Sequence, residues 1–103
     1  MVVPLFGLTS FQRDILYVTA GLDQPSGQEI KEELEAEVED ITHGRLYPNL
    51  DALVEEGYLE KGEIDRRTNS YSLSEKGASA LASRRQWEAQ YLDGDGERKE
   101  RDR

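Results

Sequence analysis

The apolar residues of this chain change their spacing twice, and no other feature constrains the fold as strongly. From Leu8 to Val54 they recur at intervals of three and four, from Tyr58 to Leu73 they alternate with polar residues, and beyond Ser74 helical spacing returns. The first interval puts side chains on one stripe of a helix, and the second puts them on one face of a strand. The pattern therefore predicts three helices, a β-hairpin and a further helix.

Within that order, Leu8, Phe11, Ile15, Val18 and Leu22 form the stripe of the first helix, with Thr9 or Ser10 as cap and Gly21 as stop. Ser26 followed by Glu29 is a capping box ahead of Ile30, Leu34 and Val38, so a second helix is expected from about Gly27 to Glu37. A third helix begins after Thr42, carries Leu46, Leu50, Leu53 and Val54 inward, and ends at Gly57. Pro48 should bend or loosen its first turn, because proline lacks an N–H and crowds the preceding turn. Gly44, Arg45, Pro48 and Ala52 lie opposite the apolar stripe, leaving room for something to approach.

Strands are expected over residues 58–64 and 70–73, joined by the polar turn Asp65 to Asn69. Ser74 then caps a fourth helix, reaching to about Tyr91, with Leu81 on one face and Ala80, Trp87 and Tyr91 on another. A helix with two apolar faces needs a partner for one of them. The segment from Asp93 has no apolar residue and is expected to be disordered. The expected organisation is a domain over residues 1–73, a helix over 74–91 and a charged tail over 92–103.

Net charge is −9, with 22 acidic against 13 basic residues. Residues 26–57 carry −8 of it, while residues 58–91 carry +1, with basic pairs at Arg66-Arg67 and Arg84-Arg85. Lysines number 4 against 9 arginines. An acid excess with few lysines resembles the surface of a protein from a salt-accumulating halophile, where carboxylates maintain solubility under heavy screening. It also predicts that affinity for a polyanion holds or rises toward molar KCl, through cations taken up at the acidic second helix.

Several classes are excluded. The absence of cysteine removes disulfides, thiolate nucleophiles and Cys-based zinc sites. The single histidine, His43, makes a metal centre implausible and suits a polar contact at a helix N-terminus. There is no Gly-rich phosphate loop, no nucleophile elbow and no carboxylate pair in a pocket, so the chain is read as a non-enzyme without cofactor. No apolar run approaches the ~20 residues of a membrane span, and no secretory signal is visible. A soluble, cytoplasmic protein is expected.

Helices, hairpin and helix in this order describe a winged helix-turn-helix, a mainly α (α+β) fold with a two-stranded wing. The stretch Gly44-Arg45-Leu46-Tyr47-Pro48-Asn49-Leu50-Asp51-Ala52-Leu53-Val54-Glu55-Glu56-Gly57-Tyr58-Leu59 resembles the recognition-helix motif of PadR-family transcriptional regulators. Arg67 to Tyr71-Ser72-Leu73-Ser74-Glu75-Lys76-Gly77 is similar to that family's second wing strand and the start of its C-terminal helix. The resemblance spans about residues 8–91 and, with the charge pattern, suggests a halophilic archaeal type. It implies a homodimeric DNA-binding regulator, most often a repressor, whose Leu-Tyr-Pro helix enters the major groove. It implies a dimer built by the C-terminal and first helices, with Leu8, Phe11, Leu81, Trp87 and Tyr91 as candidates. In some members aromatics on the C-terminal helix line a pore for flat ligands, which leaves room for a small-molecule effector; an ordinary interface anchor is the simpler role for Trp87. The C-terminal helix here is shorter than in many members, and the recognition helix carries Asp51, Glu55 and Glu56.

Arg45 is the first candidate for DNA contact, since an arginine at the start of a recognition helix reaches a phosphate or a guanine edge. Its structural alternative is an ion pair with Glu35 or Glu39. His43 and Asn49 flank it, and Asn49 could instead satisfy local backbone. Tyr47 and Pro48 are the family's pair, suited to packing as well as to contact. Arg66, Arg67, Thr68 and Asn69 form a basic wing tip, and Gln28 and Lys31 on the second helix are further phosphate candidates. The rival reading is a winged helix that binds another protein through its acidic surface.

Overall fold

The computed structural model describes residues 5–99, so the outermost residues of the expected domain and tail lie outside it. The elements are α1 (Ser10–Gly21), α2 (Gly27–Glu35), α3 (His43–Glu55), β1 (Leu59–Asp65), β2 (Thr68–Leu73) and α4 (Glu75–Glu88). The order matches the expectation, and four helices with a two-stranded antiparallel hairpin constitute a winged helix-turn-helix.

Each helix starts on a hydroxyl. Thr9 accepts from the Gln12 amide, Ser26 from Glu29, Thr42 from Arg45 and Ser74 from Gly77, each satisfying a donor that the first helical turn leaves without an intrahelical partner. At Thr9 and Ser26 the return bond, from cap backbone to Gln12 or Glu29 side chain, completes a capping box. Gly57 follows α3 at φ +86°, a left-handed conformation that suits glycine.

The core gathers Leu5, Phe11, Ile15, Leu16, Ile30, Leu34, Ile41, Leu46, Leu50, Leu53, Leu59, Tyr71, Ala80 and Leu81. Full burial of each α3 leucine contributes about 1.5–3 kcal/mol. Leu16 and Thr19 are buried although they lie off the expected stripe, because α1 packs on α2, α3, β2 and α4 together and so buries a wider arc. Thr19 answers its burial by donating to the Ile15 carbonyl at 2.7 Å.

Four expectations are corrected. α2 ends at Glu35, and Val38 is exposed beyond it, because the chain turns away through Asp40 at φ +58°. The turn of the hairpin is shorter than the span from Asp65 to Asn69, since Asp65 pairs directly with Thr68 after an irregularity between Glu63 and Asp65. α3 runs without interruption through Pro48. Proline removes the donor to the Gly44 carbonyl, which lies in the exposed first turn, so the loss is tolerated, and one residue on the Asn49 side chain donates to the Arg45 carbonyl at 2.7 Å. On α4, Ala80 joins Leu81 on the buried face, leaving Trp87 and Tyr91 to the outer one.

The described part of the tail, expected from composition to be disordered from Asp93 onward, forms a local turn against the end of the preceding segment. The Asp93 carboxylate accepts from the Asp95 and Glu97 amides, and the Lys99 amide donates to the Tyr91 carbonyl at 2.7 Å. The turn is exposed throughout and adds nothing to the core.

Candidate nucleic-acid interface

One backbone connection sets the geometry of the site. Tyr71 of β2 donates its amide to the Pro25 carbonyl at 2.8 Å, and Ser26 bridges Ser70, so the residues before α2 pair with the wing like a short third strand. The N-terminus of α2 is thereby held beside β2. α3 packs against α2 and against β1, and its outer face adjoins both.

Leu46, Leu50 and Leu53 point inward, leaving His43, Gly44, Arg45, Pro48 and Asp51 exposed. The Arg45 guanidinium lies 4.0 Å from the centre of the Phe11 ring, covering an otherwise buried aromatic, and none of the ion pairs among the described residues involves it. Glu35, the alternative partner, instead holds Lys31 at 3.1 Å and accepts from the Ile41 amide. Cation–π stacking of this kind contributes about 0.5–1 kcal/mol at an exposed site and keeps the positive head at the surface.

Asn49 is occupied on both sides. It donates to the Arg45 carbonyl and accepts from the Gln12 amide nitrogen at 3.0 Å, tying α3 to α1. Local backbone and interhelical contact therefore account for it. Lys31 is likewise committed, half-buried against Glu35, and Gln28 bonds Glu32 at 3.2 Å while remaining exposed. Among the described residues no cluster of His, Cys, Asp or Glu is placed to hold a metal ion.

Tyr47 reaches across to α2. A Cβ on Gly27 would fall 2.6 Å from the Tyr47 hydroxyl and 2.8 Å from its ring, so only glycine at this first helical position lets the tyrosine settle there. His43 packs edge-on to the same ring at 5.5 Å. Ser26, Gly27, Gln28, Tyr47, Arg67, Thr68, Asn69 and Tyr71 together line a cleft of about 170 Å³. Of these, Ser26, Gly27 and Tyr71 were read from the sequence as structural and not as site residues. Alternation identifies the face of β2 but not what that face meets.

At the wing tip the Asp65 carboxylate accepts from the Arg67 and Thr68 amides at 2.8 and 2.9 Å. The Arg67 N–H, and with it Thr68, holds this carboxyl below its ordinary value. The arrangement fixes the turn and leaves Arg66 and Arg67 exposed. Burial, reinforced by Asp51 and Tyr47, pushes the Tyr71 phenol above its ordinary value, so it is a proton donor at neutral pH.

The dimer candidates separate. Phe11 and Leu81 belong to the core of this chain, so they keep little surface for a second one, and Leu8 is half-buried. Trp87 and Tyr91 lie on the outer side, their rings 5.3 Å apart, with Phe6 edge-on to Trp87 at 4.7 Å. Phe6, Tyr17, Tyr91 and Leu92 are all exposed.

Residues 15–83 match the transcriptional regulator PadR-like family. No curated protein matches the chain. Among solved structures, RosR of H. salinarum, a halophilic archaeal winged-helix regulator, is 43% identical over 88% of this chain and 83% of its own, with a TM-score of 0.81. A complex of RosR is 46% identical over 81% of this chain and 74% of that one, with a TM-score of 0.77. MarR, at 19% identity with a TM-score of 0.63 over 81% of this chain and 61% of its own, shares the fold. Fold, motif and sequence similarity agree that the chain belongs to the PadR-like family of transcriptional regulators and is a DNA-binding regulator rather than an enzyme.

Proposed function

We propose that this protein represses transcription by binding a pseudo-palindromic operator as a homodimer and occluding a promoter. The observation that carries the reading is the convergence of Tyr47 from α3 and Arg67, Thr68 and Asn69 from the wing around the N-terminus of α2, with Arg45 exposed at the start of α3 and Arg66 at the wing tip, on an otherwise acidic chain. Arg45 serves the groove, where it can reach a base edge or a phosphate, and the wing serves the backbone. His43, Pro48, Thr68, Asn69 and Gln28 border the same surface. Asn49 and Lys31 contribute by positioning, since their polar groups are already bonded.

The aromatic cluster of Phe6, Trp87 and Tyr91 supports a dimer, because its outer rings, Phe6 and Tyr91, are exposed around a half-buried Trp87 and such clusters are typical interface anchors. A two-fold dimer places its recognition helices about 34 Å apart, one turn of the duplex. The net charge of −9 and the similarity to RosR support a halophilic archaeal origin and cytoplasmic operation at high salt.

Fluorescence anisotropy with the protein's own promoter DNA and a scrambled duplex, across a KCl series into the molar range, tests the reading. Promoter-selective binding that is lost in an R45A/R66A/R67A triple variant is the expected result. Absence of selective binding at every salt concentration overturns it and favours a protein partner for the acidic surface of α2. Light scattering of wild type and Trp87→Ala tests the dimer, the variant being expected to shift toward monomer.

A further inference from the structure

We infer that Asp51 is a specificity-determining residue that selects cytosine in the operator, its carboxylate accepting from the exocyclic N4 amine, a reading that rests on α3 being the helix that enters the major groove.

Leu46, Leu50 and Leu53 fix the inward arc of α3, and at about 100° per residue Gly44, Pro48, Asp51, Ala52 and Glu55 fall on the opposite one. Gly44, Pro48 and Ala52 carry no polar side-chain atom, and Glu55 is the last residue of the helix. Asp51 is therefore the one hydrogen-bonding side chain in the middle of that outer arc. Folding does not account for it. No hydrogen bond among the described residues reaches its carboxylate, and its ion-pair contact with Lys61 Nζ of β1 spans 4.0 Å between side chains that are 66% and 41% exposed. Such an exposed pair adds little to stability, and aspartate is a weak helix former.

What the carboxylate can do in a groove follows from its chemistry, since an ionised carboxylate only accepts. Guanine presents N7 and O6 and thymine presents O4, all acceptors that repel it, so only cytosine N4 and adenine N6 can donate. Adenine places its N7 acceptor beside that donor, facing the second carboxylate oxygen, whereas cytosine has only C–H there. Cytosine is the base that answers Asp51. The compact neighbours Gly44, Pro48 and Ala52 let the helix sit close enough for so short a side chain to reach a base edge. Asp51 lies about 9 Å along the axis from Arg45, so the two meet different base pairs of a half-site. The same charge is repelled by every phosphate backbone. Asp51 therefore weakens binding to all sequences and offsets the loss only where cytosine is present, which is discrimination by a penalty on the wrong partners.

The test is sequencing of duplexes retained from a randomised pool by wild type, Asp51→Ala, Asp51→Asn and Lys61→Met, with anisotropy on a scrambled duplex beside it. Wild type is expected to retain cytosine at one position of each half-site. Asp51→Ala is expected to lose that preference alone, by about 5- to 10-fold, while binding the scrambled duplex about 2-fold more tightly. Asp51→Asn adds an amide donor and is expected to prefer adenine at the same position. Lys61→Met is expected to keep the cytosine. An Asp51→Ala pool identical to that of wild type overturns the inference, and so does an equal loss in Lys61→Met, which would make the pair structural. If wild type retains no sequence, the reading of α3 as a recognition helix itself fails.

Discussion

The Nζ of Lys76 donates to the backbone carbonyl of Glu56 at 2.7 Å, and the same ammonium stands 4.4 Å from the centre of the Tyr58 ring. Glu56 is the C-cap of α3, so its carbonyl lies among the acceptors that a helix end leaves unpaired. Ser74 reinforces the junction, its hydroxyl donating to the Gly57 carbonyl and its amide to the Tyr58 carbonyl. The first turn of α4 thus closes the end of the recognition helix. Two motifs separated in sequence, Glu-Glu-Gly-Tyr and Ser-Glu-Lys-Gly, are the two sides of one contact.

Lys76→Met should therefore destabilise the protein although Lys76 is exposed. The variant keeps the aliphatic stem and loses the donor and the charge over Tyr58, a cost of about 1 kcal/mol. For a domain of this size that corresponds to a Tm lower by about 4–8 °C, measurable by circular dichroism. An unchanged Tm would show that the contact contributes nothing.

Gly77→Ala should cost more, about 1–3 kcal/mol, even though alanine is the better helix former. A Cβ at this position would stand 2.2 Å from the Tyr58 carbonyl oxygen, which is backbone and cannot yield cheaply. Gly44→Ala is the control, since its nearest neighbour is the Thr42 hydroxyl at 4.0 Å. Urea denaturation should show the first variant destabilised and the second neutral or slightly stabilised.

The wing tip should respond to acid. Folding lowers the Asp65 carboxyl, chiefly through the Arg67 N–H, so its ordering effect is complete above the ordinary carboxylate value. It is lost as pH falls through the lower value of the folded state. The Arg67 and Thr68 amide resonances should follow that single titration by NMR. In Asp65→Ala they should not, and the two arginines should lose their fixed geometry, weakening DNA binding at neutral pH by several-fold.

Arg45→Lys should not rescue Arg45→Ala fully. A guanidinium stacks flat on the Phe11 ring and still presents paired N–H groups, while an ammonium is a point charge. Alanine is expected to lower affinity for promoter DNA by about 10-fold, and lysine to restore a sequence-independent part of it. Anisotropy with promoter and scrambled duplexes separates the two contributions. Full recovery of promoter selectivity by lysine would assign Arg45 to phosphate contact alone.

The sequence by itself determined the element order, the N-caps of α2, α3 and α4 and the inward leucines of α3, because these depend on spacing and on side chains acting within a turn of their own backbone. Thr9, Ser26, Thr42 and Ser74 cap whatever they precede, and alternation after Gly57 leaves only a hairpin. The Leu-Tyr-Pro and Ser-Glu-Lys-Gly stretches also carried the family. What only tertiary structure decided involves partners distant along the chain. The contact of Tyr47 with Gly27, the closure of α3 by Lys76 and the commitment of Asn49 to Gln12 are invisible to local periodicity. The same holds for Phe11 and Leu81, whose burial depends on which helix packs across them. Tyr71 shows the limit most clearly. Its place on a strand is local, but its seat beside the start of α2 depends on Pro25 and Ser26 pairing with the wing.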